Sequence, residues 1–189
     1  NNFDYTYKET QNNVSIYENP YPTSLGFAVN SNTKDFVPND YTAANAQNIL
    51  AYDMTGYGGF FSEESPAISV SSDTASVNYA NGQVKFTPNA SGAMYFMVSF
   101  TADRAGDYYV NCRGNYVTKL RFYKNGQEIA YDRYQLQLFH IGQLEAGDYI
   151  SVEYEYNNIN GSEVAPFSVY TFNRQVFENA YNTLTRNLL

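Results

Sequence analysis

The chain reads as a mainly β protein: an antiparallel β-sandwich of jelly-roll type, with a short N-terminal α/β segment and a C-terminal helix. Three observations predict this. Aromatic residues make up 17% of the 189 residues, with 20 Tyr, 13 Phe and no Trp, and Tyr and Phe favour strands alongside Val, Ile and Thr. Short runs of alternating apolar and polar residues recur through the middle of the chain, with Asn81-Gly82 and Asn125-Gly126 as hairpin turns. Helical spacing of apolar residues occurs only near the two ends. A domain of this length buries roughly 70% of the surface that its unfolded chain exposes, so it needs neither disulfide nor metal.

The expected domains run 1–62, 63–173 and 174–189. In the first, Phe3, Tyr5 and Tyr7 alternate with polar residues as in a half-buried strand, and Val14–Glu18 forms a second strand. Pro20 and Pro22 break it, and Leu25–Val29 resumes an extended path. Thr42 or Asp40 caps a helix running to about Met54, with Ala46, Ile49, Leu50 and Met54 at helical spacing and Gly56 as its stop. This segment is expected to pack on the sandwich, since its aromatic residues need cover. Ser62–Pro66 reads as a linker that holds Glu63 and Glu64.

Strands follow in the second domain at Ile68–Val70, Ser76–Tyr79 and Val84–Thr87. Met94, Phe96, Val98 and Phe100 share one strand face, and Tyr108, Val110 and Cys112 share another. Leu120 and Phe122 precede the second hairpin turn. Ile150, Val152, Tyr154 and Tyr156 point one way while Ser151, Glu153 and Glu155 point the other, so this strand has one wet face. Phe167–Asn173 closes the series. Arg104-Ala105-Gly106-Asp107-Tyr108 and Glu145-Ala146-Gly147-Asp148-Tyr149 are similar, each a Gly-Asp turn feeding a strand. In the third domain Asn173 caps a helix with Phe177, Ala180, Tyr181, Leu184 and Leu188 along one stripe, running on into further sequence.

Composition excludes some functions. Lys and Arg total 11 against 19 Asp and Glu, a net charge of −8, which is the wrong balance for a nucleic-acid partner. The single Cys112 reads as a small buried residue. His140, the one histidine, is expected to point inward or to end a strand, and it has no companions for a metal site. Asp103, Asp107 and Asp148 lie in turns, where Asp serves the backbone. Glu153 and Glu155 would stand about 7 Å apart on one strand face, a spacing that two glycosidase acids could use, but solvation of a wet sheet face accounts for them. No phosphate loop, dinucleotide fingerprint or nucleophile elbow is present. No cofactor, catalytic residue or metal ligand is assigned. The remaining signal is aromatic: Tyr95, Tyr123, Tyr131, Tyr134 and Tyr170 lie off the core stripes and could stack on sugar rings.

The segment Tyr17-Glu18-Asn19-Pro20-Tyr21-Pro22-Thr23-Ser24-Leu25-Gly26-Phe27, with Asn45-Ala46-Gln47-Asn48 after it, resembles the start of the outward-facing region of the YfhO family of bacterial membrane proteins. Thr23-Ser24-Leu25 stands where the family usually has Leu-Pro. Tyr170-Thr171-Phe172 and the helix through Phe177, Ala180 and Leu184 resemble the family's strand-then-helix ending. The resemblance implies a noncatalytic extracytoplasmic module at the outer face of the bacterial cell membrane. It would be cut from a multi-pass, glycosyltransferase-like parent involved in glycosylation of cell-envelope polymers. The parent's catalytic acids would lie in membrane-proximal loops outside this stretch. The implied partners are the membrane-embedded part of the same polypeptide and cell-wall glycan. The residues alone leave open a free-standing carbohydrate-binding or adhesion sandwich, and an enzyme in its own right.

Overall fold

The computed structural model describes residues 6–11, 14–21, 29, 31–38, 42–132, 137–157 and 159–186. Contacts divide the chain into two compact units: Asn1–Asp40, Ala46–Phe60 and Arg174–Leu189 in one, Tyr41–Asn45 and Phe61–Asn173 in the other. The terminal helix is therefore grouped with residues of the N-terminal segment rather than standing apart.

The larger unit holds twelve strands. A five-stranded sheet has the order β10 (Gln127–Asp132), β9 (Val117–Lys124), β12 (Tyr149–Asn157), β7 (Ala93–Thr101) and β4 (Ser69–Ser71). A four-stranded sheet has the order β11 (Leu138–Leu144), β8 (Gly106–Asn111), β14 (Ser168–Phe172) and β3 (Phe61–Glu64), and a three-stranded one β13 (Glu163–Pro166), β6 (Gln83–Pro88) and β5 (Ala75–Ala80). Every strand pairing in these sheets is antiparallel. Both Asn-Gly pairs make the expected turns. Asn81 and Gly82 have φ of 52° and 73°, Asn125 and Gly126 of 52° and 82°, the pair of positive values that a two-residue type I′ hairpin requires.

One core joins the three sheets. Phe96, Val98, Phe100, Leu120, Phe122, Ile150, Val152 and Tyr154 come from the five-stranded sheet, Tyr108, Val110, Leu144 and Val169 from the four-stranded one, and Val84, Phe86 and Ala165 from the three-stranded one. The rings pack within and between sheets: Phe96 stacks on its ladder partner Tyr154 at 4.6 Å, while Phe86 meets Tyr156 at 4.6 Å and Phe122 stacks on Phe139 at 3.7 Å from one sheet to another. Each such side chain contributes roughly 1.5–3 kcal/mol when fully buried. Cys112 is buried here, as its spacing predicts.

Three readings of the sequence need correction. Glu63 and Glu64 are not in a linker: they end β3, which pairs with β14 from Phe61↔Phe172 to Glu64↔Val169. The run Phe60-Phe61 supplies the burial that makes this stretch a strand. His140 lies within β11 and opposite Tyr109, while its neighbour Phe139, opposite Val110, packs on the core. His140 thus lies inside the strand, on the face away from the core, rather than pointing inward or ending it. Thirdly, the first strand is not half-buried. Among residues 6–11, β1 (Thr6–Gln11) is exposed throughout and pairs only with the equally exposed β2 (Val14–Glu18), so Tyr7 finds its partner across the ladder in Tyr17, at 5.7 Å. Phe3, Tyr5 and Leu25 lie outside the described residues.

The smaller unit also holds most of helix α1 (Ala43–Thr55) and all of α2 (Arg174–Arg186). The Thr42 hydroxyl accepts the Asn45 N–H at 3.3 Å, which satisfies a donor of the first turn. Gly56, at φ 79°, ends the helix with its N–H on the Tyr52 carbonyl. Tyr21 packs edge-on against Phe177 and Tyr181 of α2, both at 5.1 Å, and its hydroxyl donates to Glu178 Oε1 and accepts from Arg174 Nη1.

Two features generate measurable expectations. The hydroxyl of the buried Tyr156 meets no hydrogen-bond partner among the described residues, and burial, the largest cause, raises its pKa. A Cβ on Gly114 would lie 2.6 Å from that hydroxyl and 3.0 Å from the Ala165 Cβ. Tyr156→Phe is therefore expected to raise stability in urea by about 1 kcal/mol. Gly114→Ala should lower it by about 1–3 kcal/mol, and by less in the Tyr156→Phe background. At the other end of the sheet, the Asp148 carboxylate binds Lys124 Nζ at 2.7 Å, the Asn125 side-chain amide at 2.8 Å and the Glu145 N–H at 2.8 Å. These bonds, that of Lys124 foremost, lower its pKa from 3.8 to about 2. A depressed folded-state value stabilises above the unfolded value and is lost as pH falls through the folded one. The stability that Asp148 adds is thus expected to fade between pH 3.8 and about 2, and Asp148→Asn should flatten urea midpoints across that window.

Candidate functional site

Because the core-facing residues of the five-stranded sheet are Met94, Phe96, Val98, Phe100, Leu120, Phe122, Ile150, Val152, Tyr154 and Tyr156, the strand period of two places their neighbours on the opposite face. The ladder sets these neighbours in rows. Ser69, Ser99, Ser151 and Tyr123 form one row, and Ser71, Met97, Glu153 and Arg121 a second. Tyr95, Glu155 and Lys119 form a third.

The middle of the face is an ion-paired cluster. Arg121 Nη1 bonds Glu153 Oε1, and Arg121 Nη2 lies 3.8 Å from Glu155 Oε2. The hydrogen bond that Arg121 donates to Glu153 is the main cause that raises the Arg121 pKa. The two carboxylates that sequence spacing offers to glycoside hydrolysis are thus both engaged by one guanidinium. Tyr123 sits beside them, its phenol pKa raised first by burial and then by the Glu153 charge.

Three tyrosines share this face with the cluster. Tyr95 is 38% exposed on β7, and Tyr123 is half-buried on β9. Tyr149, which sequence reasoning passed over, is 45% exposed at the start of β12. The nearby hydroxyls of Ser99, Ser151 and Ser69, Ser99 foremost, lower its pKa. Its exposed ring offers a flat stacking surface. The signal in the sequence was the small Ser residues at matching positions of three strands, which only the register brings together.

The other predicted tyrosines fare differently. Tyr131 lies in β10 opposite Arg121 in the ladder, with its side chain outside the described residues. Tyr134 lies outside the described residues. Tyr170 is a correction: it is 1% exposed and cannot meet a ligand in this fold. The residues Val169, Tyr170 and Thr171 of β14 are buried in succession, the pattern of a strand covered on both sides. Tyr109, Phe61 and Phe172, beside it in the sheet, pack ring to ring at 5.0–5.9 Å, so this sheet lacks the wet face that alternation assumed.

Elsewhere, His140 Nε2 lies 2.6 Å from Asp107 Oδ1, and its ring lies 4.5 Å from that of Tyr109. Among the described residues no group of three or more His, Cys, Asp and Glu is placed to hold a metal ion, and no helix is long and apolar enough to cross a membrane. A pocket of about 310 Å³ in the smaller unit is lined by apolar side chains, among them Leu50, Met54, Phe177 and Leu184.

The half-buried cluster is expected to matter more than an exposed pair. Arg121→Ala, which leaves two carboxylates without their shared partner, should cost about 1–2 kcal/mol in chemical denaturation. Lys8→Ala, which breaks the exposed Lys8–Glu18 bridge of the hairpin, should cost about 0–0.5 kcal/mol.

Comparison with curated protein sequences gives no match. Among solved structures, the chain is similar to a native family 35 carbohydrate-binding module from Clostridium thermocellum, at 16% identity and a TM-score of 0.36, over 57% of this chain and 98% of that one. It is similar to TmCBM61 in complex with β-1,4-galactotriose, at 19% identity and a TM-score of 0.37, over 55% and 88% of the two chains. It is also similar to the Podospora anserina GH26-CBM35 β-(1,4)-mannanase, at 16% identity and a TM-score of 0.32, over 60% of this chain and 27% of that one. In sequence, the model of the bacterial membrane protein YfhO matches residues 1–189, and this chain belongs to the YfhO family of bacterial membrane proteins.

Proposed function

We propose that this chain is a noncatalytic extracytoplasmic module of its YfhO-family parent and that it holds envelope glycan on the outer face of the five-stranded sheet. The observation that carries the reading is that Tyr95, Tyr123 and Tyr149 share one sheet face with the Arg121–Glu153–Glu155 cluster. Sugar rings offer apolar C–H faces and hydroxyl edges. Tyrosine rings meet the first, and a fixed cluster of charged donors and acceptors meets the second. The same face is poorly suited to hydrolysis, because both carboxylates are already bound to Arg121 and neither is set apart as acid or base.

In this reading the working chemistry belongs to the membrane-embedded part of the same polypeptide, a lipid-sugar-dependent glycosyltransferase acting on cell-envelope polymers. The module positions the acceptor for it. The net charge of −8 supports a neutral or weakly charged acceptor at this face rather than nucleic acid or an anionic lipid surface. A free-standing surface adhesin would present the same face. A parent gene encoding many apolar spans beside this stretch favours the module, whereas a signal peptide with an anchoring motif favours the adhesin.

The test is retention of the purified chain on a panel of immobilised wall polymers and oligosaccharides. Binding is expected, with Tyr95→Ala and Tyr149→Ala each weakening it about tenfold, the upper end of what one aromatic contact contributes, and Tyr170→Phe leaving it unchanged. No retention on any glycan, or retention indifferent to both substitutions, would sink the reading.

A further inference from the structure

The rim of the sandwich where β8 passes to β9 carries a second arrangement, with chemistry unlike that of the tyrosine face. Residues 112–116 make this turn. Cys112 and Gly114 are buried and Arg113 between them is exposed, so burial of both neighbours holds Arg113 outward. The contacts that exclude a Cβ at Gly114 keep the turn against the core. Tyr116 ends it at φ 64° with its ring 65% exposed, a backbone conformation that is strained for an aromatic residue.

Arg113 lines a pocket of about 180 Å³ together with Asn111, Gln137, Thr42 and Pro166. Among the described residues no carboxylate lines it. Among the described residues Arg113 makes no ion pair or hydrogen bond, as Lys34, Lys85 and Arg186 also make none, whereas Lys8, Arg104, Arg121 and Lys124 are each paired with a carboxylate; of the unpaired cations, Arg113 is the one that lines this pocket. In a chain with 19 acidic residues against 11 basic ones, a guanidinium left with no counter-ion in a polar pocket does not follow from a shortage of partners. Beside it stand two side-chain amides, Asn111 and Gln137, each with an N–H₂ group to donate.

We propose that this pocket binds an oxyanion, the phosphate or carboxylate group of a small hydroxylated ligand. The Arg113 fork would take two of its oxygens, and the Asn111 and Gln137 amides would bond a third oxygen or an adjacent hydroxyl. At roughly 30 Å³ per water-sized volume, the pocket has room for such a group and the first atoms of its carrier. The exposed Tyr116 ring, on the same turn, offers a surface for the remainder. The site goes beyond the glycan-holding face: it uses other residues, at a strand end, and recognises charge.

The folded chain at low ionic strength is titrated with inorganic phosphate, glycerol phosphate and acetate, with chloride as the control, and followed by NMR. Saturable shifts are expected at the Arg113 Nε–H and at the Asn111 and Gln137 side-chain amides, weakening with added salt. Arg113→Gln should lower affinity about tenfold or more, Arg113→Lys should restore part of it, and Tyr95→Ala and Tyr149→Ala should leave it unchanged. Vesicles containing phosphatidylglycerol identify the source: tighter binding to them than to glycerol phosphate assigns the anion to a lipid headgroup, and the reverse to a soluble ligand. The absence of saturable binding by every one of these anions, or an affinity that Arg113→Gln does not change, would overturn the site. Because neutral glycan binding is read through Tyr95 and Tyr149 alone, failure here leaves the tyrosine face unaffected, and the converse also holds.

Discussion

The structure depends on ring-to-ring packing between its sheets. Phe86, Phe96, Tyr154 and Tyr156 form a continuous stack in which three different strands meet. Phe122 lies nearly parallel on Phe139 across the same interior. A sheet can keep one face wet only if the other is dry and well filled. These rings fill it, and by doing so they fix which residues of β7, β9 and β12 face outward. The rows of serines, the charged cluster and the exposed tyrosines are where they are because their neighbours in sequence are in the stack.

The charges follow the same division. Asp148, Lys124 and Asn125 join two turns at one end of the five-stranded sheet, and Arg121 gathers two carboxylates in its middle. Both arrangements pair the charges of this face with one another. The rim is different. There Arg113 has no counter-ion among the described residues, so the two proposed sites rest on different chemistry.

Much of the fold was legible because strand signals are local. The two Asn-Gly turns, the inward stripes of β7, β8 and β12 and the Thr42 cap were all readable from residue type and spacing, since each rests on neighbours within a few positions. Alternation misled where both faces of a strand are dry. Val169, Tyr170 and Thr171 look like an alternating strand but are buried in succession, so Tyr170 was taken for a surface residue. Glu63 and Glu64 looked like a linker because charge was weighed above the Phe60-Phe61 run that precedes them. The candidate face was half legible: Tyr95 and Tyr123 were named, whereas Tyr149 and Arg113 were not, because nothing adjacent in sequence marks either one.

The repeated Gly-Asp-Tyr turn separates what each level decides. By sequence, Tyr108 and Tyr149 are equivalent, each two residues past a glycine and first in a strand-forming run. In the fold Tyr108 is a core residue and Tyr149 lies open on the outer face of the sheet. Sequence alone determined that the chain is antiparallel β, that rings fill its interior, and where its helices and tight turns lie. Those properties follow from short-range sterics and composition. Tertiary structure decided which of two like tyrosines meets solvent, that one arginine holds two glutamates, and that another has none to hold. These depend on register between strands far apart in the chain, which no local pattern encodes.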